Sequence, residues 1–245
     1  MSARPFDLHD PLPEARTTLV EASAGTGKTY TITGLAVRRV AEHADPLSSL
    51  LLVTFTRAAT AELRARVRSS LVAAEAHLAR PRSDLPVEDP VLAALDDADD
   101  RERAVRRGRL ATAILLYLGE RDDRLLPAEG QARWAAISWL FAALNSVEPF
   151  IVQISGYDLF HRDAEWMPAA REAALPLTRQ RLKRLADALG EKDWLAGQFS
   201  VADIAMITVL NNLRHTDLVA EYPALAAYKA RGAERPAYKR ALEAQ

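Results

Sequence analysis

The residues best suited to chemistry stand in one octet, Ala22-Ser-Ala-Gly-Thr-Gly-Lys-Thr29. It follows the phosphate-loop pattern G-x-x-x-x-G-K-[ST], with Ala22 at the first glycine position. Gly25 and Gly27 allow backbone conformations that a Cβ forbids, so successive N–H groups can turn toward an anion. A helix starting at the end of such a loop adds the partial positive charge of its N-terminus. Lys28 would then reach the β- and γ-phosphates, and the Thr29 hydroxyl would hold Mg²⁺. The nucleotide-binding set is Ala22, Ser23, Ala24, Gly25, Thr26, Gly27, Lys28 and Thr29, and the expected ligand is ATP with Mg²⁺. No residue takes a catalytic role. Hydrolysis needs an acidic residue at the end of a further strand, and no apolar run ending in such a pair follows Phe55. The pairs Asp96-Asp97 and Asp99-Asp100 lie in a polar stretch and read as solvated surface.

A loop of this kind needs a strand before it and a helix after it. Thr17-Thr-Leu-Val-Glu21 is a short β-rich run, and a helix is predicted from about Lys28 to Glu42. Leu50-Leu-Leu-Val-Thr-Phe55 is a continuous apolar run of the kind found in buried parallel strands. Ala58 to about Ala79 reads as a long alanine- and arginine-rich helix. Strand, helix, strand in this order implies a right-handed crossover and a parallel sheet. From 80 to 105 the chain is rich in proline and charge, including Asp96-Asp-Ala-Asp-Asp100, and reads as a linker or a surface insertion.

The later part reads as helices only, near 131–160, 168–190, 200–214 and 224–230. Leu182, Leu185, Ala186 and Leu189 form a core stripe at helical spacing. Ser200 is placed to cap a helix, with Asp203 reaching back as in a capping box and Phe199 and Ile204 at the staple positions. Asp203 is thus read as structural, not catalytic. Of 16 aromatic residues, only Phe6, Tyr30 and Phe55 precede residue 113, and all four tryptophans follow it.

Composition narrows the classes. The chain has 245 residues, 49% hydrophobic and 27% charged, with 32 Lys+Arg against 33 Asp+Glu. This suits a globular protein and excludes a strongly basic nucleic-acid coat. With no cysteine, disulfides, thiolate metal sites and cysteine nucleophiles are excluded. Five scattered histidines offer no metal spacing. The uncharged apolar runs are short for a membrane span, and Met1 to Asp10 has no signal-peptide pattern. A cytoplasmic protein without membrane contact is expected.

Phe6-Asp-Leu-His-Asp-Pro-Leu-Pro13, Val20 to Ile32, and Leu51-Leu-Val-Thr-Phe-Thr-Arg-Ala-Ala-Thr-Ala-Glu-Leu-Arg64 resemble the start of RecB, in the UvrD-like helicase superfamily. The resemblance covers about residues 6 to 112, and an alanine at the first loop position is usual there. It implies that Thr54, Phe55 and Thr56 face single-stranded DNA, with Phe55 stacking on a base. Arg57, Arg64, Arg66 and Arg68 would add charge, but sixteen basic and sixteen acidic residues cancel over 1–112, which favours a solvated helix face. The later helicase motifs are not found, so unwinding is not expected.

From residue 113 the likeness changes. Ala113-Ile-Leu-Leu-Tyr-Leu-Gly-Glu120, Trp134 to Pro149 and Gly197-Gln-Phe-Ser-Val-Ala-Asp-Ile204 resemble the glutathione S-transferase family, mainly its C-terminal helical domain. That family holds glutathione on a thioredoxin-like domain and a Glu-Ser pair. Leu110 and Ala111 stand in place of the pair, so glutathione is not expected. The family's dimer surface implies a homodimer through this half.

The expected fold is therefore mixed: an incomplete α/β P-loop (RecA-like) fragment over 1–112, then an all-α bundle of glutathione S-transferase C-terminal type over 113–245. The joint near 110–113 reads as a fusion or a misjoined reading frame. Three functions compete: ATP binding, a glutathione S-transferase-like protein, and a dimerising helical scaffold.

Overall fold

The first helix begins where the glycine loop ends. The computed structural model describes residues 6–12, 20, 27–54, 56–82 and 87–243. The chain divides into two units, Met1–Ile114 and Leu115–Gln245.

In the first unit α1 spans Lys28–His43, α2 Arg57–Leu78 and α3 Pro90–Asp96, and α4 (Asp100–Gly119) belongs to it as far as Ile114. α1 packs on α2 and α3, and α2 on α3. Their inward residues repeat at three and four: Val37, Val40 and Ala41 on α1, and Leu71, Ala74 and Leu78 on α2. Leu8, Val91, Leu95 and Leu110 complete the core. Each of the valine and leucine side chains contributes about 1.5–3 kcal/mol by leaving water. Gly34 lets α1 meet its neighbours closely, since a Cβ there would lie 2.7 Å from Val91 Cγ2 and 3.2 Å from both Leu8 methyls.

Arginines complete the helix ends. Arg109 donates to the carbonyls of Ala41 and Glu42 at 2.8 and 2.9 Å, at the C-terminus of α1. Arg106 donates to those of Ala94 and Leu95 at 3.0 and 3.1 Å, at the C-terminus of α3. Those carbonyls lack helical donors and carry partial negative charge, which suits a guanidinium. Asp89 caps the start of α3, accepting from the N–H groups of Val91 and Leu92, with Pro90 in the first turn.

Three expectations change. The α/β fragment is not observed: among the described residues no β-strand occurs, and the first unit is helical. Thr17–Glu21 lies outside the described residues apart from Val20. Leu51–Thr54 forms no regular element and pairs with no strand among the described residues, with Leu51 85% and Val53 80% exposed. A strand is stable only when a neighbour accepts its ladder, and apolar content alone supplies none. A core of four helices holds the unit instead. The stretch 80–105, read as linker or insertion, carries α3 and the start of α4 and places Val91 and Leu95 in that core. Asp96 is also more than solvated surface: its carboxylate bonds His77 Nε2 at 2.7 Å and the buried Arg103 Nε at 2.8 Å.

In the second unit α5 (Gly130–Phe141), one π-helical turn (Ala142–Val147) and α6 (Glu148–Phe160) form one run. α7 (Met167–Leu189), α8 (Val201–Asn211), α9 (Pro223–Ala233) and α10 (Pro236–Glu243) follow. α8 is the central helix, buried along most of its length and packed by α5, α6 and α9. The 31-residue run Gly130–Phe160 is long and apolar enough to cross a membrane by length and composition. That differs from the reading of short apolar runs, because helical continuity joins segments that Asn145 and Glu148 interrupt. Here its buried residues, Leu140, Val147, Ile151 and Ile154 among them, belong to a core shared with α7 and α8.

The start of α8 is a reciprocal cap. Asp203 Oδ2 accepts from Ser200 N at 2.9 Å and Ser200 Oγ at 3.1 Å, and Ser200 Oγ accepts from Ala202 N at 3.3 Å. Asp203 Oδ1 accepts from Leu195 N at 3.0 Å and Tyr228 Oη at 2.9 Å. Both Ser200 and Asp203 are 0% exposed. Burial pushes the Asp203 carboxyl above its ordinary range despite these donors, and burial beside Asp203 pushes the Tyr228 hydroxyl up as well. Phe199 meets Trp194 edge to face at 4.9 Å, beneath the Arg235 guanidinium.

Candidate functional site

Gly27 caps α1 with φ 80°, the left-handed conformation that favours glycine. Among the described residues a Cβ at Gly27 would meet nothing within 4 Å, so there the requirement is the left-handed φ. Among the described residues no side-chain cap bond closes this helix start, and the N-terminus of a helix carries partial positive charge that suits an anion. The first helical bond runs from Thr31 N to the Gly27 carbonyl at 2.9 Å. Lys28 is exposed and Thr29 half-buried in this first turn. Ala22, Ser23, Ala24, Gly25 and Thr26 lie outside the described residues.

Two contacts near this turn were not read from the sequence. Tyr30 bonds the Asp89 carboxylate, and burial first, then Asp89, raises its hydroxyl to about 12. Arg38, only 4% exposed, pairs with Glu42 and donates to the carbonyls of Leu8 and Asp10 at 2.8 and 2.5 Å. It thereby ties the segment before the loop to α1. The signal was an arginine among apolar α1 residues, four before a glutamate.

Of the residues assigned to DNA, Phe55 lies outside the described residues. Thr56 caps α2, accepting from Ala59 N at 3.0 Å, and Thr54 Oγ1 bonds Thr60 Oγ1 at 2.7 Å. Both hydroxyls thus serve the first turn of α2. Arg66 pairs with Glu62, while Arg57, Arg64 and Arg68 are exposed on the same helix. Leu110, at the position of the transferase Glu-Ser pair, is 0% exposed inside the first unit's core.

The second unit holds a cleft between the end of α6, the first half of α7 and residues 215–221. Asp158 there accepts from Arg171 at 2.5 and 3.1 Å and pairs with His215 Nε2 at 3.1 Å. Burial pushes the Asp158 carboxyl up, but these partners outweigh it and hold it below the usual range. Periodicity could not find this group, since its members lie on three segments far apart in the chain.

Taken together, the described residues form helices in two units, one opening on the left-handed Gly27 cap of α1 and the other an α-bundle with a buried capping box. Residues 9–105 match the family described as UvrD/REP helicase N-terminal domain. Residues 150–236 match the glutathione S-transferase C-terminal domain. The RecBCD enzyme subunit RecB of Mycobacterium tuberculosis is 46% identical over 110 residues, 44% of this chain and 10% of that protein. The disulfide-bond oxidoreductase YfcG of Escherichia coli is 33% identical over 133 residues, 53% of this chain and 60% of that protein. A glutathione transferase family member from Pseudomonas fluorescens, solved with two glutathione molecules bound, superposes with a TM-score of 0.50 at 28% identity. That superposition covers 54% of this chain and 61% of the other. The chain thus joins a RecB-like stretch to a glutathione S-transferase C-terminal-like stretch, and spans only part of each relative.

Proposed function

We propose that the chain binds a nucleoside triphosphate, ATP with Mg²⁺, at the start of α1. The observation that carries this is the left-handed Gly27 cap, followed by exposed Lys28 and by Thr29 in the first turn of α1. The helicase match over 9–105 supports it. Lys28 would neutralise the β- and γ-phosphates and Thr29 would hold Mg²⁺, with the glycines of 22–27 offering backbone donors. Binding without unwinding is the proposal, because at residue 105 the helicase likeness ends and helical bundle follows. The test is calorimetric titration of ATP·Mg²⁺ into the full chain and into Lys28→Ala. Saturable binding that weakens at least about tenfold in the variant supports the reading. Equal affinity in both proteins, or no binding to wild type, refutes it.

A second reading rests on the transferase-like bundle: a helical scaffold in which a second copy pairs through this half, in the cytoplasm. Glutathione is not proposed as its ligand, since buried Leu110 offers the tripeptide no polar group. Contact of single-stranded DNA with α2 is a further proposal, supported by exposed Arg57, Arg64 and Arg68.

A further inference from the structure

We propose that the cleft at the end of α6 binds a small zwitterion, a free α-amino acid with an apolar side chain. The cleft has a volume of about 610 Å³, within the range of small-molecule sites. Its apolar wall is Leu159, Met167, Leu175 and Leu218. Leu159 is 44% exposed there, apolar surface that a ligand side chain would cover.

The charges lining the cleft decide the ligand. Arg171 and His215 satisfy Asp158. Arg179 and Glu221 satisfy each other through two bonds of 2.8 and 2.7 Å. Arg162 and Asp217 remain. Both line the cleft and both are exposed, and neither forms an ion pair among the described residues. Arg162 follows α6, whereas Asp217 belongs to the loop after α8. A simple anion would be attracted by Arg162 and repelled by Asp217, and a simple amine the reverse. An α-amino acid carries a carboxylate for the one, an ammonium for the other and a side chain for the apolar wall. The bridge from Arg171 through Asp158 to His215 ties α7, α6 and the loop together, so the walls are fixed before a ligand arrives.

The test uses the full chain, ¹⁵N-labelled, titrated with L-leucine and followed by amide NMR. N-acetyl-L-leucine, which lacks the ammonium, and L-leucinamide, which lacks the carboxylate, separate the two charges. L-Leucine should shift the amides of 158–162 and 215–221 saturably, and each analogue should bind about tenfold more weakly or worse. Arg162→Gln and Asp217→Asn should each weaken leucine by a similar factor. Asp217→Asn should bind acetyl-leucine as well as it binds leucine. Both positions are exposed, and unchanged circular dichroism verifies folding. No saturable shift at tens of millimolar leucine overturns the proposal. So does equal wild-type affinity for acetyl-leucine, which marks an anion site, or unchanged affinity in both variants.

Discussion

Replacing Asp203 by alanine tests whether one buried carboxylate holds the second unit together. In the native structure it accepts from Ser200 N, Ser200 Oγ, Leu195 N and Tyr228 Oη, all between 2.9 and 3.1 Å. The Ser200 hydroxyl can rotate to another acceptor, but the other three donors lie buried. A buried donor left without a partner costs about 1–3 kcal/mol. Three of them sum to roughly 3–9 kcal/mol, and removing the desolvated carboxylate offsets part. The expected loss is about 4 kcal/mol, a large share of the roughly 5–15 kcal/mol that holds a domain. The melting temperature should fall by about 15 °C. Trp134, Trp139, Trp166 and Trp194 all lie in the second unit, so tryptophan fluorescence in urea reads that unit alone. Burial holds the Asp203 carboxyl above its unfolded value. A group with a raised folded pKa gives its full contribution below the unfolded pKa and loses it as pH rises through the folded one. The gap between wild type and variant should therefore widen on acidification from neutrality. A loss under about 1 kcal/mol, or a gap that narrows in acid, would refute the reasoning.

Gly34→Ala should destabilise the first unit by about 1–2 kcal/mol, seen as a lower midpoint in far-ultraviolet circular dichroism, because the new carbon meets Val91 at 2.7 Å. Arg38→Met should cost about 3 kcal/mol and speed amide exchange at Leu8 and His9, since Glu42 and two carbonyls lose a buried partner. Asp158 sits below the ordinary carboxylate range, so its contribution is present above about pH 4 and is lost as pH falls through its folded pKa. Asp158→Asn should lower stability at neutral pH by about 1 kcal/mol and flatten the acid limb of the pH–stability curve.

Much of the helical architecture was legible because helices advertise themselves locally. Ser200 marks a helix start and the stripe from Leu182 to Leu189 marks a buried face, whereas the Thr56 cap of α2 was read instead as a DNA contact. The same locality explains α3: Asp89-Pro90 before Val91 and Leu95 is a start signal followed by core residues, concealed by the surrounding charge. The run Leu50–Thr54 misled for the opposite reason. Its composition suits a strand, but strand formation depends on a partner elsewhere in the chain, and none stands beside it among the described residues. Gly27 and Lys28 were legible as a loop-to-helix junction, since glycine is the residue that a left-handed cap favours. The Asp158 bridge and the charges left over at Arg162 and Asp217 were not, because only folding brings residues 158, 171 and 215 to one place.

The exposure of Leu51 and Val53 bears on the life of the protein in a cell. Apolar segments of this composition are ordinarily hidden by folding, and those that remain outside invite association with other chains. Here the folded form itself displays one. Chaperones and proteases triage chains by such surface, so abundance should follow how fast this segment is engaged more than how firmly the helices hold. A polar residue at Leu51 or Val53 should lengthen the protein's half-life without raising its melting temperature.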